Sequence, residues 1–379
     1  MMNQRKDADV IVIGAGIAGL TTAIALAKSS IKTIVLEKSK RHGSAAFHSG
    51  VISKNFLEEL FGSCDVPFER KLNEVRSYLL EDKSFLSFNQ KKESIESFIV
   101  LRSKLNMSLS SMLESSGGKI VYENVVRDLI IEGEKVIGLK TDEKDFFSDV
   151  VVIAEGVNSQ VTKKAGLRKG EISPSEVILF VEENISLSKD NLEERFSIDG
   201  DLGVAIKLST RFENSNALQG LGYLYTNKDS VTLGSGILLS ESISKGININ
   251  EFQEKIKEHI AIHPLIKGGK TIKYSSYMLP IPVEAHHLPK ICSNGCLIVG
   301  GAGLIMNPYN IDLSYLPRVS GRLAANTIIN AKSLNDYSEK TFSQYEKLIK
   351  EKMKEDTKCK QQLKKNSLLQ DLDQIPNLT

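Results

Sequence analysis

Three glycines spaced Gly14-x-Gly16-x-x-Gly19 follow the apolar run Val10-Ile11-Val12-Ile13 and head an alanine- and leucine-rich segment, the pattern of a turn that cradles phosphates. Gly14 permits the tight turn, Gly16 lets the backbone approach a pyrophosphate, and Gly19 lets the helix pack closely on the strand. The N–H groups of a helix start face the phosphates, so Ala15, Ile17 and Ala18 share this site with the glycines. Ile31 to Glu37 reads as a second buried strand that ends in an acid, about 20 residues beyond the glycines. A carboxylate there accepts hydrogen bonds from a ribose 2′-OH and repels a 2′-phosphate, which disfavours NADP. The chemistry expected of these residues is dinucleotide binding.

Two later apolar runs must help to position that site. Phe146 to Gly156 reads as another buried strand running into a glycine turn. Gly295 to Gly303 reads as a third, followed by a helix from about Arg318 to Ala331. Strand ends separated by such long insertions predict one discontinuous nucleotide-binding domain whose strand carboxyl ends line a crevice. Between about 170 and 280 the segments Gly222 to Thr226 and Ser230 to Gly234, joined by Asn227-Lys228-Asp229, predict an antiparallel hairpin in a second sheet. A helix is expected near Ile249 to His259. The fold class expected is α/β, a Rossmann-like domain formed by 1–70, 98–168 and 285–335. An antiparallel-sheet substrate or cap domain takes 71–97 and 169–284, and 336–379 form a C-terminal helical segment and tail.

The chain has 379 residues, 41% of them hydrophobic, enough for a sizeable core. With 49 basic and 47 acidic side chains the net charge is +2, which gives no general field for capturing nucleic acid. The N-terminal residues lack the apolar stretch of a signal peptide, and no run is long enough to span a bilayer. The expected location is cytoplasmic, at most peripheral to the inner face of the membrane. Four cysteines, at 64, 292, 296 and 359, are too few and scattered for a disulfide framework, and no metal site is expected. Cys292 and Cys296 read either as a redox pair or as small core residues. The run Tyr345 to Lys365 has helical spacing at Leu348, Ile349, Met353 and Leu363 and an excess of lysine. It reads as a solvated helix face or as a surface for anionic lipid.

The chain resembles the FAD-dependent oxidoreductases of the FixC and electron-transfer-flavoprotein:quinone oxidoreductase family, relatives of the geranylgeranyl reductases. The resemblance covers most of the sequence. Gly43-Ser44, then His48-Ser49-Gly50-Val51-Ile52 and Phe56-Leu57-Glu58-Glu59-Leu60, is similar to the segment passing beside the flavin ring in that family. Leu101-Arg102-Ser103-Lys104-Leu105-Asn106 resembles its arginine helix, Ala154-Glu155-Gly156-Val157-Asn158-Ser159 its A-D-G-x-x-S turn, and Tyr223 to Asp229 the hairpin of its substrate domain. The chain contains no tryptophan, so the Y-x-W-x-F-P segment of the geranylgeranyl reductases is absent and the FixC branch fits better. The cofactor implied is FAD, held by Gly14, Ala15, Gly16, Ile17, Ala18, Gly19, Glu37, Lys38, His48, Ser49, Gly50, Arg102, Val126, Ala154, Glu155, Gly156 and Gly301. His48 also reads simply as a loop residue bonded to a backbone carbonyl.

The sequence departs from the family in two turns. The third strand of the family ends in G-D-A-A-G, whereas this chain has Gly300-Gly301-Ala302-Gly303-Leu304, and a following glycine-rich loop has become Asn307-Pro308-Tyr309-Asn310-Ile311-Asp312-Leu313. Pro317 falls where the next helix is expected to begin. Loss of one charge-assisted hydrogen bond at Gly301 weakens binding by about 1.5 to 3 kcal/mol, which a tight site tolerates. In the other turn Glu155 keeps the charge of the family's aspartate on a longer arm. The resemblance implies electron transfer from an electron-transfer flavoprotein to a quinone or a ferredoxin-like acceptor, with no side chain nominated as catalytic. Two other readings stand beside it: a flavin-dependent prenyl or alkene reductase with an apolar tunnel in the second domain, and a degenerate flavoprotein fold acting as a binding subunit. Tyr223 and Tyr225 read as lining an access route or as core packing.

Overall fold

The computed structural model describes residues 6–40, 49–61, 67–168, 172–212, 218–281, 288–307 and 309–365. Among them the strands form three sheets. The first, of six strands, runs in the order Cys292–Ser293, Cys296–Ile298, Val150–Ile153, Val10–Ile13, Thr33–Leu36 and Lys119–Val121. All its pairs are parallel except the short hairpin at Cys292. Val10–Ile13 and Val150–Ile153 are buried along their whole length, which is why both read as unbroken apolar runs.

The helix Ile17–Lys28 follows the first strand after a three-residue turn and packs against the later helix Tyr315–Leu334. The two approach to backbone contact, since a Cβ on Gly321 would meet the Ala18 carbonyl oxygen at 2.4 Å. The expected helix from Arg318 to Ala331 is thus longer at both ends. Pro317 does not delay it, because in the first turn a proline forfeits no intrahelical hydrogen bond. The expected strand Phe146 to Gly156 is corrected to two elements. Asp145–Phe147 joins Lys135–Thr141 and Val126–Glu132 in a three-stranded antiparallel sheet, and the chain turns at Ser148 before Val150–Ile153.

The third sheet has nine strands, eight of them in the order Lys270–Pro280, Val177–Ser186, Ser230–Leu238, Leu218–Thr226, Leu202–Phe212, Arg70–Glu81, Ser97–Leu101 and Ser49–Ser53. Phe85–Lys91 pairs with Arg70–Glu81 off this path. It is antiparallel apart from one parallel pair, Leu202–Phe212 with Arg70–Glu81. The expected hairpin is present and longer than read, because Leu218–Thr226 and Ser230–Leu238 stay in register to Leu221 and Gly236. One face of this sheet packs on the helices Lys189–Phe196 and Ile249–Glu258 through Phe196, Phe252, Ile256, Leu208 and Leu233. The opposite face carries Phe180, Tyr223, Tyr225 and Leu279 and packs on Met306 and Leu313 from the loop beyond the six-stranded sheet.

The helix Glu339–Lys365 covers the six-stranded sheet. Its stripe Phe342, Tyr345, Ile349 and Met353 is buried, and the Tyr345 hydroxyl donates to the Ile298 carbonyl at 2.7 Å. Up to Met353 the apolar spacing noted in the sequence therefore serves the core. No helix among the described residues is long and apolar enough to cross a membrane.

A Cβ on Gly19 would lie 2.1 Å from the Gly14 carbonyl oxygen, a contact that only backbone movement relieves. Gly19→Ala is expected to destabilise the protein by about 3 kcal/mol, read from the denaturant midpoint at constant slope. A loss below about 1 kcal/mol would contradict the close packing of helix on strand.

Candidate cofactor site

The glycine turn has the geometry that its sequence implies. Gly14 adopts φ +102°, where a side chain is strained, and a Cβ there would meet the Ala154 carbonyl oxygen at 2.5 Å. Gly16 caps the helix in an extended conformation, and a Cβ built on it meets nothing within 4 Å. That open space, beside helix N–H groups that no side chain caps, is a cradle for a diphosphate. Ala15 and Ile17 are half-buried beside it, and Ala18 is buried under Gly300.

Glu37 stands across the turn from the glycines. Its carboxylate accepts from the Ala15 N–H at 2.7 Å and from the Ser39 N–H at 2.9 Å. Each oxygen retains a further lone pair for a hydroxyl donor. Lys38 beside it is exposed. The backbone N–H of Asn124 bonds to the Glu37 carbonyl at 3.0 Å, which brings half-buried Val126, at the head of its strand, to the same end of the crevice.

At the other end, Ala154 continues the central strand and bonds to the Ile13 carbonyl. Glu155 is turned away from the crevice: its carboxylate accepts from the backbone N–H groups of Val161 (3.1 Å) and Thr162 (2.8 Å) and from the Thr162 hydroxyl, tying down the helix Gln160–Lys164. The charge that the sequence keeps there is thus engaged locally. Gly156 has φ +80° with open space where a Cβ would stand. Gly301 faces it, and a Cβ there would come within 3.1 Å of the Val157 side chain and 3.3 Å of the Val157 nitrogen, a tight fit that a shift of Val157 by a few tenths of an ångström relieves.

The next acid along the chain is Asp312. It accepts from Ser314 and pairs with the buried Arg318. Arg318 in turn lies over the Phe56 ring and donates to the Ser53 hydroxyl at 2.9 Å. The loop from Asn307 to Leu313 is held by Asp356, which bonds both Asn307 and Asn310, and by the Tyr225 hydroxyl, which donates to the Ile311 carbonyl at 3.3 Å. Pro308 lies outside the described residues.

Arg102 supplies the most direct sign of a site for a polar ligand. It begins the helix Arg102–Ser115, directly after Ser97–Leu101, and its guanidinium packs on Gly50, whose Cβ would meet the Arg102 Nε at 3.2 Å. Arg102 is only 6% exposed, yet its Nε and Nη1 have no hydrogen-bond partner, nor does the Asn106 Oδ1 one turn along. Burial pulls the guanidinium below its ordinary pKa; Asp312 and Glu182 oppose this and Arg318 adds to it. Buried donors of a cation left unmatched cost several kcal/mol. A polar ligand carrying acceptor atoms at this place removes that cost.

Ser49, in the strand beside Gly50, is buried, and its N–H donates to the Glu182 Oε1 at 3.3 Å. Its hydroxyl donates to the Asn227 Oδ1 at 3.0 Å and lies 2.6 Å from the Thr232 hydroxyl. His48 and the Gly43-Ser44 pair fall outside the described residues. Glu182 and Tyr277 were not singled out in the sequence, although an acid directly after the apolar run Val177-Ile178-Leu179-Phe180-Val181 was a readable signal. The redox-pair reading of Cys292 and Cys296 is corrected. Pairing of Cys292 with Leu297 and of Ser293 with Cys296 turns the two thiols to opposite faces, and burial pushes both up to about 12.

Comparison with known proteins agrees with this geometry. The family model for FAD dependent oxidoreductases matches residues 9–82. FixC of Azorhizobium caulinodans is 32% identical over 354 residues, covering 90% of this chain and 80% of that protein. The probable electron transfer flavoprotein-quinone oxidoreductase YdiS of Escherichia coli K12 is 31% identical over 352 residues, covering 90% and 81%. Among solved structures, a geranylgeranyl bacteriochlorophyll reductase-like protein from Thermoplasma acidophilum superimposes with a TM-score of 0.73 at 23% identity, covering 91% of this chain and 83% of that one. The flavin-dependent brominase Bmp2 gives a TM-score of 0.74 at 16% identity over 90% and 83%, a likeness of fold alone. With the glycine turn, Glu37 and the unmatched Arg102 guanidinium in place, the chain belongs to the FixC and electron-transfer-flavoprotein:quinone oxidoreductase family of FAD-dependent oxidoreductases.

Proposed function

We propose that this electron-transfer oxidoreductase takes electrons from an electron-transfer flavoprotein and passes them to a quinone or a ferredoxin-like acceptor. The observations that carry the reading are the buried Arg102 guanidinium with two unmatched donors and, apart from it, the open diphosphate cradle at Gly16. A ligand that satisfies both is long and polar, as FAD is. FAD supplies the redox chemistry when bound, and the chain supplies orientation and electrostatics. In this reading Gly14 to Gly19 hold the diphosphate, Glu37 the ribose, and Lys38 and Val126 flank the adenosine. Ala154, Glu155, Gly156 and Gly301 border the middle of the ligand, and His48, Ser49, Gly50 and Arg102 border its reactive end. The parts 1–70, 98–168 and 285–335 then act as the cofactor-binding domain, with 71–97 and 169–284 as its cap and 336–379 as a C-terminal segment.

Electron transfer is favoured over prenyl reduction by the packing of the cap. A prenyl reductase needs a long apolar tunnel there, and the sheet face turned toward Met306 and Leu313 is instead filled by Phe180, Tyr223, Tyr225 and Leu279. The names of the relatives support a flavoprotein donor and a quinone acceptor. The test is a purified yellow protein, reduced by a reduced electron-transfer flavoprotein and reoxidised by a soluble quinone analogue. Failure to take up FAD removes the whole reading. A yellow protein that reduces a prenyl double bond but not a quinone replaces it with the prenyl reductase.

Two substitutions separate cofactor binding from folding. Gly16→Ala meets no neighbour, so apoprotein stability is expected within about 1 kcal/mol of the parent while FAD affinity falls at least about 10-fold. Arg102→Met removes an unmatched buried charge. It is expected to raise apoprotein stability by at least about 1 kcal/mol and to weaken FAD about 10- to 100-fold. Denaturant titration of the apoprotein and flavin fluorescence titration read the two quantities; a destabilised apoprotein that keeps full FAD affinity would show that Arg102 faces protein rather than cofactor.

A further inference from the structure

The strand Phe85–Lys91 is exposed at every residue. It lies at an edge of the nine-stranded sheet, paired with Arg70–Glu81 on one side and, among the described residues, with nothing on the other. Phe85 is 39% exposed, Leu86 48% and Phe88 59%. An apolar edge of this kind is a template for another strand unless something blocks it. The edge at Lys270–Pro280 is blocked by Lys270 and Lys273, by a register shift beside Asn184 and by the proline at its end. Phe85–Lys91 has no proline, its register against Arg70–Glu81 does not shift, and its one lysine comes last.

The hydrogen bonds at the two ends of the ladder set its phase. The Glu81 N–H donates to the Ser84 carbonyl at 2.9 Å, and the Lys92 N–H donates to the Asn73 carbonyl at 2.6 Å. Alternation from these ends turns the backbone groups of Leu86, Phe88 and Gln90 toward Arg70–Glu81. Phe85, Ser87, Asn89 and Lys91 therefore turn their N–H and C=O groups to the open side. Side chains alternate as well, so Leu86 and Phe88 share one face of the sheet and Phe85 and Lys91 the other. One residue beyond each end of the ladder stand Lys83 and Glu93, both exposed and neither with an ion-pair partner among the described residues.

We infer that two copies of this chain join through this strand, antiparallel across a two-fold axis at Phe88, so that the sheet of one continues into the sheet of the other. Outward backbone groups meet outward groups only when the axis falls on a residue, not between two. With the axis at Phe88, Phe85 stands opposite Lys91 of the second copy and Ser87 opposite its Asn89, and each such pair exchanges two hydrogen bonds. The Lys91 ammonium then comes to the exposed Phe85 ring, and the two Phe88 rings meet at the close, non-hydrogen-bonded position. Lys83 of each copy stands opposite Glu93 of the other. An axis at Ser87 would set Lys83 against Lys91, and one at Asn89 would leave Lys83 without an acid. The segment from Lys83 to Glu93 thus supplies its own counter-charge, which is the reason to assign the edge to a second copy.

The test is sedimentation equilibrium of the full chain over a range of concentrations, where the parent is expected to pass from monomer to dimer. Phe88→Lys sets two like charges face to face and is expected to weaken the dimer at least about 100-fold. Asn89→Pro removes an N–H on the open side, leaves the ladder to Arg70–Glu81 intact, and is expected to weaken the dimer in the same direction. Register is read by charge exchange: Lys83→Glu and Glu93→Lys alone each weaken the dimer about 10-fold, and the double variant returns to within about 3-fold of the parent. The thermal midpoint at low protein concentration is the folding control for these exposed positions. A parent that stays monomeric to about 100 µM, a dimer that Phe88→Lys leaves intact, or a double variant that is not rescued overturns the proposal. A monomeric parent that binds vesicles of anionic lipid, and loses them in Phe88→Lys, also overturns it and gives the strand to a membrane surface.

Discussion

The absence of a side chain at Gly19 and at Gly321 lets the first helix lie where it does, and most of the cofactor end of the molecule depends on that approach. Gly19 brings the helix onto the carbonyl of Gly14, and Gly321 brings the helix Tyr315–Leu334 onto the carbonyl of Ala18. With the helix held from both sides, its N-terminus points at the carboxyl ends of Val10–Ile13 and Val150–Ile153. Gly300, whose Cβ would stand 2.9 Å from the Ala18 Cβ, is drawn to the same place. Three strand ends distant in sequence become one crevice because backbone, not side chain, fills the gaps between them.

Charge is the second constraint. Arg102 and Arg318 are buried near Asp312 and Glu182, a balanced set in which Arg318 and Asp312 are in direct contact. A Cβ at Gly301 would sit tightly against Val157, and the next acid along the chain, Asp312, is engaged by Arg318. Because Asp312 is spent on Arg318 and Ser314, it leaves Arg102 unmatched. A preorganised, unpaired donor set is costly in the free protein and gains most when a ligand with acceptors arrives.

The nucleotide half was legible in the sequence because its signals are local. Gly14, Gly16, Gly19 and Glu37 fall within one strand-helix-strand unit, where periodicity and turn chemistry decide the structure. The strand Phe146 to Gly156 was misread because its apolar residues continue across a turn at Ser148, and apolarity alone does not separate two buried strands from one. The engagement of Glu155 with the helix Gln160–Lys164 was not readable either, since an acid at a strand end has the same sequence whether it faces a ribityl chain or a helix start. Cys292 and Cys296 looked like a pair by spacing, but strand pairing put them on opposite faces.

The cluster of Glu182 with the Tyr223 and Tyr277 phenols was the hardest to see, for a physical reason. Glu182, Tyr223 and Tyr277 come from three strands that meet through sheet register, and Ser49, on the edge strand at the other end of the sheet order, bonds Glu182 directly, so nothing within ten residues of any of them announces the others. What is local is the cost: a buried acid at the end of an apolar run, and Gly234 and Gly236 within a strand. Each lowers stability if judged alone, and each is explained once the rings and the carboxyl are placed together on the face toward Arg102. Local violations of propensity tend to sit where function sets the requirement. Here the violations converge on one sheet face, whose Tyr225 lies close enough to Arg102, with its two unmatched nitrogens, to feel that charge.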